Sequence, residues 1–489
     1  MEKKHRLDGK KVTDNMIHLK IDDLEFYDDA VALIKSFFPR TEVTTEQEIA
    51  ESDEISGKDE SIIIKAWTPQ NDGREKRFLH EEFKTELYRQ LSKLTGRTLP
   101  WGKLTGVRPS KIAVGMLEEG YDDSKVIETF RDVHFVSENK AKLALQVAHK
   151  ELDILERIDY RKGYSLYIGI PFCPTTCLYC SFTSYPLEVW KDRVEDYLQA
   201  LFKEIDYVSG KLEGKRPDTV YFGGGTPTTL SEDQLDRLLD KVKKSFNVSA
   251  SCEFTVEAGR PDSITAGKLK VLKKHGVQRI SINPQTMNQE TLDLIGRRHT
   301  TEEVKQAFHM AREAGFMNIN MDLIAGLPGE TSEHMQRTMD AIVDLAPDSV
   351  TVHSLALKRA AFLNQNREQF PVAGADEVNR MIGISHEGAL AIEAEPYYLY
   401  RQKNIAGNLE NVGYARKGCE GLYNILIMEE KQTILALGAG ASSKFVFHNE
   451  HGHRIERVEN VKSVKDYIER IDEMIDRKKN FLLKSENSF

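Results

Sequence analysis

Tyr167-Ile168-Gly169-Ile170-Pro171-Phe172-Cys173-Pro174-Thr175-Thr176-Cys177-Leu178-Tyr179-Cys180 holds three of the chain's five cysteines, spaced C-x3-C-x2-C. The apolar run from Ser165 to Ile170 predicts a buried strand leading into it. Pro171 ends that strand, because proline donates nothing to a sheet ladder. The cysteines therefore fall on a loop at the carboxyl end of a strand, where α/β folds place their chemistry.

Three thiols so close together admit few roles. A disulfide leaves one thiol over, and nothing else in the chain points to an oxidising compartment. A structural zinc site wants four ligands, and no histidine or fourth cysteine lies nearby in sequence. Thiolates also suit iron–sulfur clusters, and three cysteines on a cubane leave one iron open for a substrate or cofactor. Unconnected core cysteines are the plainer alternative, although free cysteines are normally dispersed.

Downstream of the loop, apolar strand patterns alternate with helical ones. Strands are expected at Ser165–Ile170, Thr219–Phe222, Glu253–Glu257, Arg279–Asn283, Asn318–Ile324 and Ser349–His353. Helices are expected at Val189–Val208, Ser231–Phe246, Pro261–His275, Thr301–Ala314 and Ser332–Leu345, with N-caps such as Ser231 and Thr301. This alternation predicts an α/β fold with a parallel sheet and right-handed crossovers, either open or curled into a partial barrel.

Polar residues gather at the ends of these strands. Gly223-Gly224-Gly225-Thr226-Pro227-Thr228 follows the second strand, and its glycines let backbone groups approach a ligand. Glu257 ends the third strand, with a carboxylate suited to ribose hydroxyls or to plain solvent exposure. Gln285 offers both a donor and an acceptor, and Arg297 a planar fork for carboxylates, unless both are ordinary loop side chains. Asp322 stands in a strongly apolar strand, where a carboxylate needs a partner, either a ligand or a structural arginine.

The cysteine spacing resembles the signature of the radical S-adenosylmethionine (SAM) superfamily, and Tyr179 before the last cysteine fits that pattern. With Gly-Gly-Gly-Thr-Pro-Thr, Glu257, Gln285, Arg297, Asp322 and Ile324-Ala325-Gly326-Leu327-Pro328, the chain resembles the oxygen-independent coproporphyrinogen III oxidases (dehydrogenases). The long leader and Gly169 resemble the HemZ type.

The resemblance implies a radical SAM partial (β/α)6 barrel over 161–357, with an N-terminal α+β accessory domain over 1–160 and a C-terminal family-specific extension over 358–489. It implies that Cys173, Cys177 and Cys180 hold a [4Fe–4S] cluster. Tyr167, Tyr179, Gly225, Thr226, Glu257, Gln285, Arg297 and Asp322 would surround the SAM on that cluster. Gly224, Ala356 and Ser442 match positions that hold a second SAM. Gly169 stands where the family commonly has a histidine.

The implied reaction begins with reductive cleavage of SAM to a 5′-deoxyadenosyl radical. Oxidative decarboxylation of the propionates of coproporphyrinogen III to protoporphyrinogen IX follows, with a flavodoxin or ferredoxin as electron donor. The alternatives are a haem-binding chaperone of the same family and radical-based haem degradation or methyl transfer.

The leader carries no motif that converts into chemistry. Strands are expected at Met16–Ile21 and Ser61–Thr68, and helices at Asp28–Phe38, Glu81–Thr95, Ser110–Glu119, Asp123–Phe130 and Ser137–Arg157. The acidic stretch from Glu42 to Glu60 reads as a turn or strand pair. Gly102-Lys103-Leu104-Thr105-Gly106-Val107-Arg108-Pro109 is rich in glycine and cations, but it lacks the Gly-Lys-Ser/Thr order of a P-loop and reads as an ordinary turn with a solvated Arg and Lys. Beyond 357, Glu377–Ala394 and Val464–Leu483 read as helices, and residues 432–441 as a strand entering a glycine-rich turn. Tyr397, Tyr398, Tyr400 and Tyr423 offer flat faces to a tetrapyrrole or to the core. Arg401 and Lys403 are candidate propionate partners. Cys252 and Cys419 read as inert thiols.

Composition bounds the rest. The chain's 489 residues are enough for two or three domains. A formal charge of −9 creates no basic field for nucleic acid. Neither a secretory leader nor an apolar run of about 18 residues is present, so the expectation is a cytoplasmic protein without a membrane span.

Overall fold

The structure is a computed structural model that describes residues 16–39, 41–45, 62–70, 72–106, 108–180, 184–212, 214–249, 252–356, 362–366, 369–402, 405–449 and 452–485. Two compact units divide the chain. One comprises Met1–Gln146, Gly374–Asn379 and Leu399–Glu410, and the other Val147–Ala373, Arg380–Tyr398 and Asn411–Phe489. Residues after 357 thus contribute to both.

In the first unit, β1 (Ile17–Ile21), β2 (Val43–Thr45) and β3 (Ile62–Ala66) form a parallel sheet in the order β2-β1-β3. Ile17, Leu19 and Ile64 bury one face of it in a common core with Leu33, Phe83, Leu87 and Leu91 of the helices Tyr27–Phe37 and Lys76–Thr95. The second helix starts a turn before the expected Glu81, since Glu75 caps it without a side-chain hydrogen bond and leaves no sequence signal. β2 opens the acidic stretch, and residues 46–61 lie outside the described residues. Lys103 of the glycine-rich turn is buried rather than solvated, because it donates to Thr85 Oγ1 at 2.6 Å and pairs with Glu81 at 3.1 Å, so this turn is structural.

The second unit contains β4 (Tyr164–Ile170), β5 (Phe172–Cys173), β6 (Tyr185–Pro186), β7 (Thr219–Gly224), β8 (Glu253–Gly259), β9 (Arg279–Gln285), β10 (Ile319–Ala325) and β11 (Ser349–Ser354). Further on come β12 (Glu395–Arg401), β13 (Glu410–Ala415), β14 (Thr433–Leu437), β15 (Ser442–Asn449) and β16 (Gly452–Glu459). The large sheet runs β12-β13-β11-β10-β9-β8-β7-β4-β14-β15-β16. Its six expected strands, β4 and β7 to β11, are neighbours in chain order and all parallel, as a partial (β/α)6 barrel requires.

Strand alternation explains how this sheet faces its surroundings. Leu166, Ile168, Val220, Phe222, Phe254, Val256, Ile280, Ile282, Met321, Leu323, Val350 and Val352 share one buried, apolar face. The other face is polar. One row across it is Tyr167, Tyr221, Thr255 and Arg279, and another is Glu257, Ser281, Asn320 and Ser349. Amphipathic crossover helices such as Glu232–Ser245 and Thr301–Glu313 cover the apolar face and leave the polar one to line the inside. Ser231 closes a capping box on the first of these. On the second the N-cap is Thr300 rather than the expected Thr301, because Glu303 reciprocates Thr300.

β14 extends the barrel beside β4, and the turn after it is held by a buried ionic cluster. Glu204 accepts from Lys478 at 2.7 Å, Asn460 at 2.8 Å, Tyr467 at 2.6 Å and the Gly438 N–H at 2.9 Å. The expected tail helix is two helices, Val464–Glu469 and Ile471–Ser485, broken at Arg470.

Candidate functional site

The cysteine loop is fixed from three sides. Phe172 and Cys173 form β5 and pair with β6. Below them, the Gly225 N–H donates to Ile170 O and the Thr226 N–H to Phe172 O, both at 2.7 Å. A Cβ on Gly225 would lie 2.6 Å from Phe172 O, so this glycine admits the loop's own backbone. Gly224, at φ +108°, adopts a backbone that other residues rarely reach. On the far side, the Leu178 N–H donates to Ile295 O at 3.0 Å and Thr175 Oγ1 to Gly296 O at 2.9 Å. Arg260, paired with Asp262 at 2.6 Å, donates to Thr175 O at 3.3 Å.

Cys173, Cys177 and Cys180 are free thiols, each half-buried. Burial pushes the Cys173 thiol up to about 11, opposed by the Thr226 hydroxyl, which donates to its sulfur at 3.6 Å. Arg297 is buried and donates to the Tyr179 hydroxyl at 3.2 Å and to Asn283 O. Burial opposes its charge, yet Tyr179 and Cys177 beside it hold the guanidinium above its ordinary pKa. Among the described residues no three His, Cys, Asp or Glu side chains form a group that could hold a single metal ion. A four-iron cluster asks for something else: three free sulfurs on one loop, each bound to its own iron. This loop supplies that donor set, with a cation beside it to balance thiolate charge.

Inside the barrel, Glu257 accepts from the Tyr221 hydroxyl at 2.6 Å. Burial raises its carboxyl to about 7, Tyr221 opposes that shift, and the charge of Asp322 adds to it. Asp322 accepts from the Asn320 amide at 2.7 Å, so its partner within the sheet is an amide rather than an arginine. Gln285 sits at φ +70°, buried, with Oε1 unpartnered, at the irregular end of the β9–β10 pairing. Tyr167 lies in a stack with Tyr221 and Tyr423, at ring distances of 6.2 Å from Tyr221 and 6.3 Å from Tyr423.

Ala356 follows Leu355, which packs in one cluster with Leu178 and Tyr179. Ser442 opens β15 opposite Glu459, two strands from β4. Arg401 does not fit a propionate role, because it is buried and donates to the carbonyls of Asn408 at 2.6 Å and Leu104 at 2.9 Å. Lys403 lies outside the described residues. Tyr397 and Tyr398 are buried core, and burial raises the Cys252 thiol to about 12.

Sequence reasoning passed over Tyr221, Arg260 and His353. His353 stands on the polar face beside Asp322, and burial lowers its pKa against the pull of that carboxylate. The available signal for Tyr221 and His353 was the strict polar alternation in Thr219-Val220-Tyr221 and Thr351-Val352-His353.

A model of the radical SAM superfamily matches residues 167–342. The chain is 42% identical over 396 residues to the oxygen-independent coproporphyrinogen-III oxidase-like protein HemZ of Bacillus subtilis (strain 168), covering 79% of this chain and 78% of that protein. It is 35% identical to the heme chaperone HemW of the same organism, covering 63% of this chain and 76% of that one. Among solved structures, coproporphyrinogen III oxidase (HemN) from Escherichia coli shares the fold at a TM-score of 0.53 and 23% identity, over 67% of this chain and 73% of that one. The cofactors that follow are a [4Fe–4S] cluster and SAM. With its cysteine loop, parallel strands and likeness to HemZ, the chain belongs to the radical SAM superfamily, in the family of the oxygen-independent coproporphyrinogen-III oxidase-like protein HemZ.

Proposed function

We propose that this protein performs radical chemistry on a tetrapyrrole, and that the reaction is oxidative decarboxylation of coproporphyrinogen III propionates in porphyrin biosynthesis. The observation that carries the reading is the convergence of Cys173, Thr226, Tyr179 and Arg297 at the mouth of a barrel lined with polar groups. In this reading Cys173, Cys177 and Cys180 hold the cluster. Tyr167, Tyr179, Gly225, Thr226, Glu257, Gln285, Arg297 and Asp322 surround the SAM, and Gly224, Ala356 and Ser442 are the positions for a second.

When bound, cluster and SAM together supply a radical that abstracts hydrogen. The chain's own contribution is to orient and to enclose. Glu257 and Asp322 offer acceptors to hydroxyl or ammonium groups, Arg297 offers donors to a carboxylate, and the apolar packing of Leu178, Leu355 and Ile324 excludes water. A propionate that loses one hydrogen atom then loses carbon dioxide and one electron to leave a vinyl group. That electron requires an acceptor from outside the chain, and a flavodoxin or ferredoxin in the cytoplasm serves as donor to the cluster. Among the described residues no helix is long and apolar enough to cross a membrane. The leader acts as an accessory domain.

Anaerobic incubation with SAM, a reductant and coproporphyrinogen III, read by mass spectrometry, tests this directly. The expected product is the divinyl porphyrinogen, with loss of carbon dioxide from two propionates. A second reading, a haem chaperone, is favoured by the similarity to HemW proteins and by Arg401 being engaged elsewhere. Stoichiometric haem binding without any decarboxylated product would select it.

A further inference from the structure

Two carboxylates on one strand, Glu253 and Glu257, stand on the same polar face of β8. Glu253 accepts from the backbone N–H groups of Leu422 at 2.5 Å and Tyr423 at 3.0 Å. It thereby binds the exposed donors at the start of the helix Leu422–Glu429, where a negative charge also meets the positive end of the helix dipole. That contact seats the Tyr423 ring on Tyr221, with centroids 4.5 Å apart and planes 20° apart. Tyr167 lies beside both rings, 6.2 Å from Tyr221 with planes 14° apart and 6.3 Å from Tyr423. The Tyr221 ring is thus held in a three-ring cluster with Tyr423 against its face, and its hydroxyl donates to Glu257 Oε1, 2.6 Å away.

Glu257 has little freedom left. A Cβ on Gly223 would come within 3.1 Å of its carboxyl carbon, and the Gly224 N–H bonds it as well. The groups facing it are Tyr167 from β4, Tyr221 from β7, Asp322 from β10 and Tyr423 from the helix. A carboxylate has about four acceptor sites, so two protein donors still leave capacity for a diol.

We propose that Tyr221 and Tyr423 are positioning residues for Glu257, so that a helix from the C-terminal part of the chain sets the orientation and charge of a SAM-facing carboxylate. The inference rests on the reading that Glu257 faces SAM. Tyr221 acts by its hydrogen bond. Tyr423 acts by its ring alone, and its hydroxyl is not required.

The test is SAM affinity by equilibrium dialysis on the full, reconstituted chain across neutral pH, with iron content measured on each preparation. Tyr221→Phe keeps the stack and removes the bond. It is expected to weaken SAM binding by about tenfold and to move the pH midpoint of binding upward, because the hydroxyl that favours the ionised carboxyl is gone. Tyr423→Ala should shift both quantities in the same direction, and Tyr423→Phe should bind as the parent does. Unchanged affinity and midpoint in Tyr221→Phe, alongside weakened binding in Glu257→Gln, would overturn the positioning role. A weakened Tyr423→Phe would overturn the ring-only role. Parent-like SAM binding by Glu257→Gln would overturn the underlying site assignment instead.

Discussion

The hydroxyl of Thr226, just after β7, donates to the sulfur of Cys173, just after β4, at 3.6 Å. Two crossover units therefore meet at one thiol. The Gly223–Gly225 turn positions that contact by allowing the backbones of the two strand ends to touch.

Gly225→Ala should show how tight this contact is. Its added methyl would sit 2.6 Å from Phe172 O and 2.9 Å from Ile170 O, both backbone atoms with little room to move. All three cysteines remain, yet iron retention after gel filtration should fall severalfold. Retention equal to the parent would mean that the loop is free to shift.

Cys177→Ala removes one ligand outright. The parent should reconstitute with about four irons per chain, and the variant should lose the visible cluster absorption. A variant that keeps an intact cluster would show that Cys177 is not a ligand.

For Asp322→Asn, the prediction is weakened SAM binding at unchanged iron content. Losing a hydrogen bond to a charged group costs about 1.5–3 kcal/mol, or roughly ten- to a hundredfold in affinity. Normal affinity with a lowered melting temperature would make Asp322 a structural partner of Asn320.

Glu257 should leave a signature in the pH dependence of stability. Its carboxyl is raised in the fold from 4.5 to about 7, so the folded state holds its proton more tightly than the unfolded chain does. That contribution is complete below 4.5 and is lost as pH rises through 7. Glu257→Gln should therefore gain melting temperature relative to the parent on going from acid to alkaline buffer, measured without SAM. Parallel profiles would show that Glu257 titrates normally.

Arg401→Gln should cost stability and leave tetrapyrrole affinity alone, because the guanidinium bonds backbone carbonyls. Burial lowers its pKa to about 9, against the attraction of Glu410. Weakened tetrapyrrole binding at an unchanged melting temperature would return Arg401 to the substrate.

Much of this was legible because it is local. The C-x3-C-x2-C spacing, the proline after Ile170 and the period-two alternation of the six strands are all read within a few residues. What escaped depends on long-range meetings. Nothing near Tyr221 announces that Tyr423 will cover it, and nothing near Arg401 announces the carbonyl of Leu104. Gly225 was legible as a glycine needed for close approach, but nothing local announces that the Phe172 carbonyl is a group it admits. The Thr300 cap was misplaced by one residue because two threonines adjoin and only the reciprocal bond from Glu303 separates them.

The Glu204 cluster also constrains the order of folding. Its carboxylate belongs to the crossover after the first barrel strand, yet its cationic partner Lys478 lies 274 residues further along. An unpaired charge buried in that position would be unfavourable, so the native packing of Glu204 is completed only once the later segment is in place. Truncation before Lys478 should thus be felt first beside β4, far upstream of the cut in sequence, and a ribosome-bound chain should present the cysteine loop before its scaffold has set.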